Sequence, residues 1–263
     1  MKYKGLTLVE LIVAVAIIAV LATVTFPSLQ SSRRKAKSVL CGSNIRQIML
    51  GLSFYESENR SFPFGFDDTR KTLPDQGYAG YRQFDKSGWW WFNFTEGYFD
   101  KTRGKKQVLT CPANNMKTRT LEYNILSGNY GVNQSICKDA RVRASRAEFV
   151  GTPLQSSDIL HPAKTLLIAD SGYSLINWWH VTKNPPVKLG HTIDDMAYIP
   201  AMTINNTKKL WPGKEQDAIA GRHPNKKVNI GFVDGHIEFF KADKISVELI
   251  HNGYNNRSPL WSP

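Results

Sequence analysis

Charge is nearly absent from the start of this chain: between Lys4 and Arg33 the one charged side chain is Glu10. Apart from Glu10, Thr7, Thr23 and Thr25, every residue from 6 to 26 is apolar. As a helix that run is ~32 Å long, enough to cross a bilayer once. No cysteine follows it directly, the first being Cys41, which excludes a lipoprotein signal. Lys2 and Lys4 precede the run and Ala22 and Thr23 offer small residues near its end, as in a secretory signal, but a carboxylate at the head of the run argues against one. An ionised Glu in hydrocarbon costs up to ~3 kcal/mol, so a partner charge is expected for it. Cleavage between Gly5 and Leu6 would create one, because a new ammonium at Leu6 lies one helical turn from Glu10 and at the depth of Glu10 in a parallel neighbour.

Catalytic signatures are missing as well. There is no Gly-x-Ser-x-Gly, phosphate-binding loop, His-Glu-x-x-His or CxxC, so neither an enzyme nor a cofactor is expected. Cysteine is scarce: Cys41, Cys111 and Cys137 permit one disulfide and one leftover thiol, in three pairings. What the chain does have is positive charge, +12 in all, in short clusters at Arg33-Arg34-Lys35, Lys105-Lys106, Arg141 to Arg146, Lys208-Lys209 and Lys226-Lys227. No nucleic-acid motif accompanies them, so a solvated basic surface is the simpler reading and nucleic acid is not an expected partner.

Gly5-Leu6-Thr7-Leu8-Val9-Glu10 resembles the cleavage and methylation site of type IV pilins and type II secretion pseudopilins, which have Gly before the cut and Glu at the fifth mature position. The resemblance implies that a prepilin peptidase removes the leader, residues 1–5, at the cytoplasmic face and methylates Leu6. It also implies that Glu10 of one subunit neutralises the amine of the next. Most members have Phe where this chain has Leu6. Pro27 stands where pilins have a kink-inducing proline. One count runs the other way: Arg33, Arg34, Lys35 and Lys37 outnumber Lys2 and Lys4, so the positive-inside rule alone would put the large domain in the cytoplasm. A prepilin site has to face a cytoplasmic peptidase, and the resemblance therefore places the domain in the periplasm and the N-terminus in the cytoplasm.

From 28 to 58 the pattern becomes amphipathic. Cys41, Ile45, Ile48, Leu52 and Tyr55 recur at helical steps along one face, which must meet a globular domain. With the membrane helix, 6–27, this makes one helix of about 50 residues, ~75 Å long, kinked at Pro27. The basic stretch from Arg33 to Lys37 falls where it can touch anionic head groups. Ala36 to Ile48, Tyr55 and Phe62-Pro63 are similar to large pseudopilin-like families that carry a C-terminal His-spacer-Asp-Gly motif. Val108 to Pro112 resembles their strand-like Cys-Pro segment, and Tyr130-Gly131-Val132-Asn133 their Tyr-Gly-x-Asn. A Cys41–Cys111 bridge would staple the helix to the domain; Cys111–Cys137 and free buried thiols are the alternatives. Arg222-His223, ten residues and Asp234-Gly235 resemble the C-terminal signature, which usually has nine spacer residues; the extra one suggests a bulge or a longer turn before the strand.

Residues 59–88 read as an irregular connection. The aromatic run Trp89 to Phe94 with Tyr98-Phe99 is expected to be core before it is a sugar-stacking platform. Thr165 to Asp170 reads as a buried strand, and a long insertion follows it to Pro212. Asp194-Asp195 in that insertion, lacking further oxygen ligands, reads as an exposed loop. Val228 to Phe240 is a hairpin in which Asp234-Gly235 forms a two-residue turn, pairing Val233 with His236, Phe232 with Ile237 and Ile230 with Phe239. His223, Asp234 and His236 are chemically able to bind a metal, but Asp-Gly is what the turn demands, so a structural role is expected and no metal is assigned.

The expected fold is α+β and pilin-like: a long N-terminal helix packed on an antiparallel sheet with strands near 108, 165, 228 and 236, residues 59–263 forming one periplasmic domain. The expected function is structural. The chain would be a minor or specialised subunit of a type II secretion pseudopilus or a type IV pilus-like fibre, partnered by prepilin peptidase, by itself and other pseudopilins, and by an inner-membrane assembly platform. From another class, the alternative is a membrane-tethered protein that captures polysaccharide or another envelope ligand.

Overall fold

The structure is a computed structural model that describes residues 7–70, 88–99, 108–114, 129–141, 146–183, 197–202, 215–251 and 253–263. Helix α1, Leu8–Asn59, is 52 residues long and begins at the N-cap Thr7. It ends where Arg60 turns left-handed (φ 58°) and its N–H donates to Glu56 O at 2.7 Å. Pro27 lies inside the helix. The two halves of α1 live in different surroundings: the apolar residues of the N-terminal part are largely exposed, whereas Cys41, Ile45, Ile48 and Leu52 are fully buried. Those four are the stripe expected from the spacing, and full burial is worth ~2 kcal/mol for each aliphatic one. Tyr55, the last of the stripe, is half-buried and meets Phe94 edge-on, ring centroids 5.9 Å apart.

The stripe rests on a five-stranded sheet. Its strands are β3 (Tyr130–Asn133), β4 (Leu166–Asp170), β5 (Leu175–Ile176), β7 (Lys227–Phe232) and β8 (Ile237–Lys241), in spatial order β5-β3-β4-β7-β8. All neighbours are antiparallel except β3 and β5, which run parallel. One hydrophobic cluster joins α1 to Val132, Leu167 and Ile168 of the sheet and to the aromatics of β2 (Trp89–Trp90) and α2 (Trp91–Thr95). β2 pairs with β1, Phe66–Asp67. A second cluster gathers Ala169, Val228, Ile230, Trp178 and Trp261. It lies beneath a small sheet, order β10-β9-β6, of β6 (Thr182–Lys183), β9 (Val247–Ile250) and β10 (Gly253–Asn255). The chain end is tied in as well: the Asn133 side-chain amide donates to both Leu166 O and Trp261 O at 2.9 Å.

The architecture is the α+β arrangement expected, a long helix on an antiparallel sheet, and most of the aromatic run is core: Trp90 and Trp91 are each 1% exposed, whereas Trp89 and Tyr98 are partly buried. Two local expectations are corrected. Residues 108–114 hold no strand; Cys111 sits in irregular chain, its backbone N–H donating to Asn129 Oδ1 at 2.9 Å in place of a ladder bond. The hairpin is shifted by one residue, Gly231 facing Ile237 and Ile230 facing Glu238. Phe232 N–H donates to His236 O and Gly235 N–H to Phe232 O, so the loop is Val233-Asp234-Gly235, with Gly235 at φ 94°. A three-residue loop closing on a left-handed glycine is the next commonest hairpin after the two-residue one. It brings the rings of Phe232 and His236 into parallel stacking, centroids 4.4 Å apart. Before β7 the chain makes a turn, Pro224–Lys226, in which Asn225 and Lys226 both have positive φ.

Candidate functional site

At the head of α1, Glu10 N–H donates to Thr7 Oγ1 at 3.3 Å while Thr7 N–H and Oγ1–H donate to Glu10 Oε2 at 2.9 and 2.8 Å. This reciprocal capping box gives the carboxylate a job before any partner arrives: it satisfies free N–H groups at the positive end of the helix dipole, worth about 1 kcal/mol. Beyond it the helix is bare. Leu8 is 74% and Phe26 62% exposed, and the most apolar stretch has a mean hydropathy of 2.7 with none of it buried in the protein. Such a helix is long and apolar enough to cross a membrane. Inside it, Thr23 Oγ1 donates to Val20 O, and Thr25 Oγ1 to Leu21 O, so the hydroxyls are satisfied by the helix itself.

Farther along, α1 delivers Cys41 to a buried polar group. Its Sγ is 3.2 Å from Cys111 Sγ, its thiol donates to Asp170 Oδ1 at 3.0 Å, and Tyr130 Oη lies 3.3 Å from the same sulfur. Asp170, the last residue of β4, accepts from Asn229 N–H at 2.7 Å and from Asn229 Nδ2 at 2.8 Å on Oδ2. His223 Nε2 stands 3.0 Å from that same oxygen and 2.9 Å from Asn229 Nδ2. Beside it, the fully buried Arg222 guanidinium is held by Asp217 at 2.7 Å and donates to the carbonyls of Asn129 and Ser171.

The charges follow from these contacts. Burial alone would depress His223, but the Asp170 carboxylate overrides it and holds the imidazole up at about 10. The Asp170 carboxyl is held below its usual range despite complete burial, by His223 and then Arg222. Burial would raise the Cys111 thiol, yet its contacts with Cys41 and His223 bring it down to about 6. The Cys41 thiol goes the other way, raised by burial and by the sulfur and carboxylate beside it. Cys41, Cys111, Asp170 and His223 thus form a fully buried set whose four ligand atoms lie within 4.8 Å of one another, close enough to share a metal ion. A cavity of about 530 Å³ is lined by His223, Arg222, Ala113 and Lys226 together with Arg34 and Lys37 of α1.

The prokaryotic N-terminal methylation motif matches residues 1–26. PilA4, the type IV wide pilus major component of Thermus thermophilus, is 34% identical over 59 residues, which are 22% of this chain and 45% of the relative. The N-terminal region of the chain is type IV pilin-like. It spans less than half the length of the curated relative it matches, and no solved structure matches it significantly.

Of the residues singled out in the sequence of this pilin-like chain, Gly5 and Leu6 lie outside the described residues, as does Asp194-Asp195. Glu10 is placed as above, and Pro27 is in mid-helix. Cys41 and Cys111 are brought together, but as two thiols, at a sulfur separation well beyond the ~2.05 Å of a disulfide. His223 and Asp234 are not brought together. Asp234 stays in its turn, 2.5 Å from His236 Nδ1, while His223 points inward to Asp170. Sequence reasoning missed Asp170 as the partner of His223, because 52 residues of chain lie between them, with two strands among the described residues. It also missed the Thr7–Glu10 cap, although Thr-x-x-Glu ahead of an apolar run is a readable signal.

Proposed function

We propose that this chain is a structural subunit, minor or specialised, of a type II secretion pseudopilus or a type IV pilus-like fibre. Prepilin peptidase cuts between Gly5 and Leu6 and methylates Leu6; the apolar helix anchors the subunit in the inner membrane with its head in the periplasm until an assembly platform stacks it on other pseudopilins. One observation carries the reading: an entirely uncovered apolar helix with a single carboxylate at its N-terminal end. Covering it with parallel neighbours removes that surface from lipid, and Glu10 then sets the register.

The cap explains how Glu10 serves before and after processing. Thr7 directly follows Leu6, so the amine freed at Leu6 emerges beside a carboxylate already turned toward the helix start. A carboxylate has about four acceptor positions, and Thr7 occupies only part of them, which leaves room for the amine of an adjacent subunit. Pro27 has no N–H to donate to Thr23 O, so the helix bends most easily there as it enters a bundle.

Replacing Glu10 by Ala tests this. Cells carrying the variant should retain the processed protein in the inner membrane and yield no sheared or sedimentable fibre. Normal assembly of Glu10→Ala would contradict the proposal and favour a tethered binding protein.

A further inference from the structure

We infer that Cys41, Cys111, Asp170 and His223 bind one zinc ion, which clamps the long helix to the head. The ligand atoms are Cys41 Sγ, Cys111 Sγ, His223 Nε2 and an Asp170 carboxylate oxygen, all from fully buried side chains and all within 4.8 Å of one another. Two sulfurs, one imidazole nitrogen and one carboxylate oxygen are a donor set that closes a tetrahedral structural zinc site. Two thiolates on tetrahedral zinc stand ~3.8 Å apart, so the sulfurs here, at 3.2 Å, need to part by only about half an ångström.

Protons alone serve this group badly. Nε2 of His223 has one in-plane bonding direction, yet Asp170 Oδ2 at 3.0 Å, Asn229 Nδ2 at 2.9 Å and the Cys111 sulfur all crowd it. A cation at the common centre takes that direction and the sulfur lone pairs together. A Cys41–Cys111 disulfide would use the two sulfurs alone and leave Asp170 and His223 to pair with each other. The surrounding groups already orient the ligands. Asn229 holds Asp170 Oδ2 through its backbone N–H and its amide, which turns Oδ1 toward Cys41. Tyr130 Oη sits against Cys41 Sγ and Asn129 Oδ1 fixes the Cys111 backbone. Such outer contacts fix ligand orientation in metal sites and are as informative as the ligands. Of the four ligands, His223 borders the cavity described above.

Cys41 belongs to α1, whereas the other three ligands belong to the head, in the 108–114 segment, at the end of β4 and ahead of β7. One ion therefore joins helix to head across long stretches of chain. Tyr130, Asn129 and Asn229 are positioning residues in this arrangement.

The test uses the full-length chain purified in detergent, grown with zinc and handled without chelator. One zinc per chain is expected by elemental analysis, with X-ray absorption showing two sulfurs at ~2.3 Å and two nitrogen or oxygen neighbours at ~2.0 Å. Cys111→Ser should lose the ion, Asn229→Ala should weaken binding ~10-fold, and Cys137→Ala should keep it. If Cys111→Ser fails to fold, the wild-type absorption spectrum decides by itself. A folded, metal-free protein, a zinc shell without sulfur, or an intact mass showing a Cys41–Cys111 disulfide would each overturn the assignment.

Discussion

Met49 of α1 lies against the backbone of Gly231 in β7, so closely that a Cβ at Gly231 would stand 2.8 Å from the Met49 sulfur and 2.9 Å from Ile168 Cγ2. The helix reaches the sheet because one strand position has no side chain. Gly42 repeats the device from the helix side, where a Cβ would meet the Phe239 ring at 3.3 Å.

Gly231→Ala should therefore push α1 off β7. Overpacking of this kind costs ~1–3 kcal/mol. Urea unfolding of the full chain in detergent, followed by tryptophan fluorescence, should show a lower midpoint; an unchanged midpoint would mean that the helix is not seated on that glycine.

Asp217→Ala should be among the most damaging single changes in the head. It leaves Arg222, whose side chain is wholly buried, without its ion-pair partner, and breaking such a pair typically costs ~3–5 kcal/mol. It also frees the Tyr198 hydroxyl, which donates to Asp217 at 2.7 Å. The chain is expected to express poorly or to melt well below the wild type, whereas Asp217→Asn should recover part of the loss.

Trp261→Ala, near the chain end, should destabilise the head by ~3–5 kcal/mol, the usual cost of truncating a buried aromatic. The ring is fully buried, and its Nε1–H donates to Ile245 O at 2.8 Å. Limited proteolysis should then cut in the β9–β10 region in the variant and spare it in the wild type.

Thr7→Ala separates the two tasks of Glu10. It removes the hydroxyl contacts of the capping box, about 1 kcal/mol of helix stability, and leaves the carboxylate in place. Fibre assembly should persist in Thr7→Ala and fail in Glu10→Ala; equal loss in both would assign Glu10 to the cap alone.

Much of this was legible in the sequence, for a physical reason. The inward stripe of α1 repeats at helical spacing, the β4 run is a continuous apolar stretch, and the methylation motif has a fixed place and spacing ahead of an apolar helix. Each is local, so neighbouring residues are enough to read it. The hairpin register was missed because Val233 can serve either as the last strand residue or as the first loop residue; the stacking of Phe232 on His236 favours the second. The buried group around Asp170 was missed for a different reason. Its members come from four separate segments, and each alone has an ordinary explanation: a core cysteine, a Cys-Pro turn, a strand-end aspartate, a histidine before a turn. Only the crossing of α1 over β4 and β7 unites them.

The most direct measurement is the mass of the N-terminal peptide of the protein isolated from its native membrane. A chain that begins at Leu6 and carries a methylated amine is expected, which would establish processing by prepilin peptidase and put the head across the membrane from residues 1–5. A peptide still beginning at Met1, or one beginning after Ala22, would contradict it, because Glu10 would then have no new amine to neutralise.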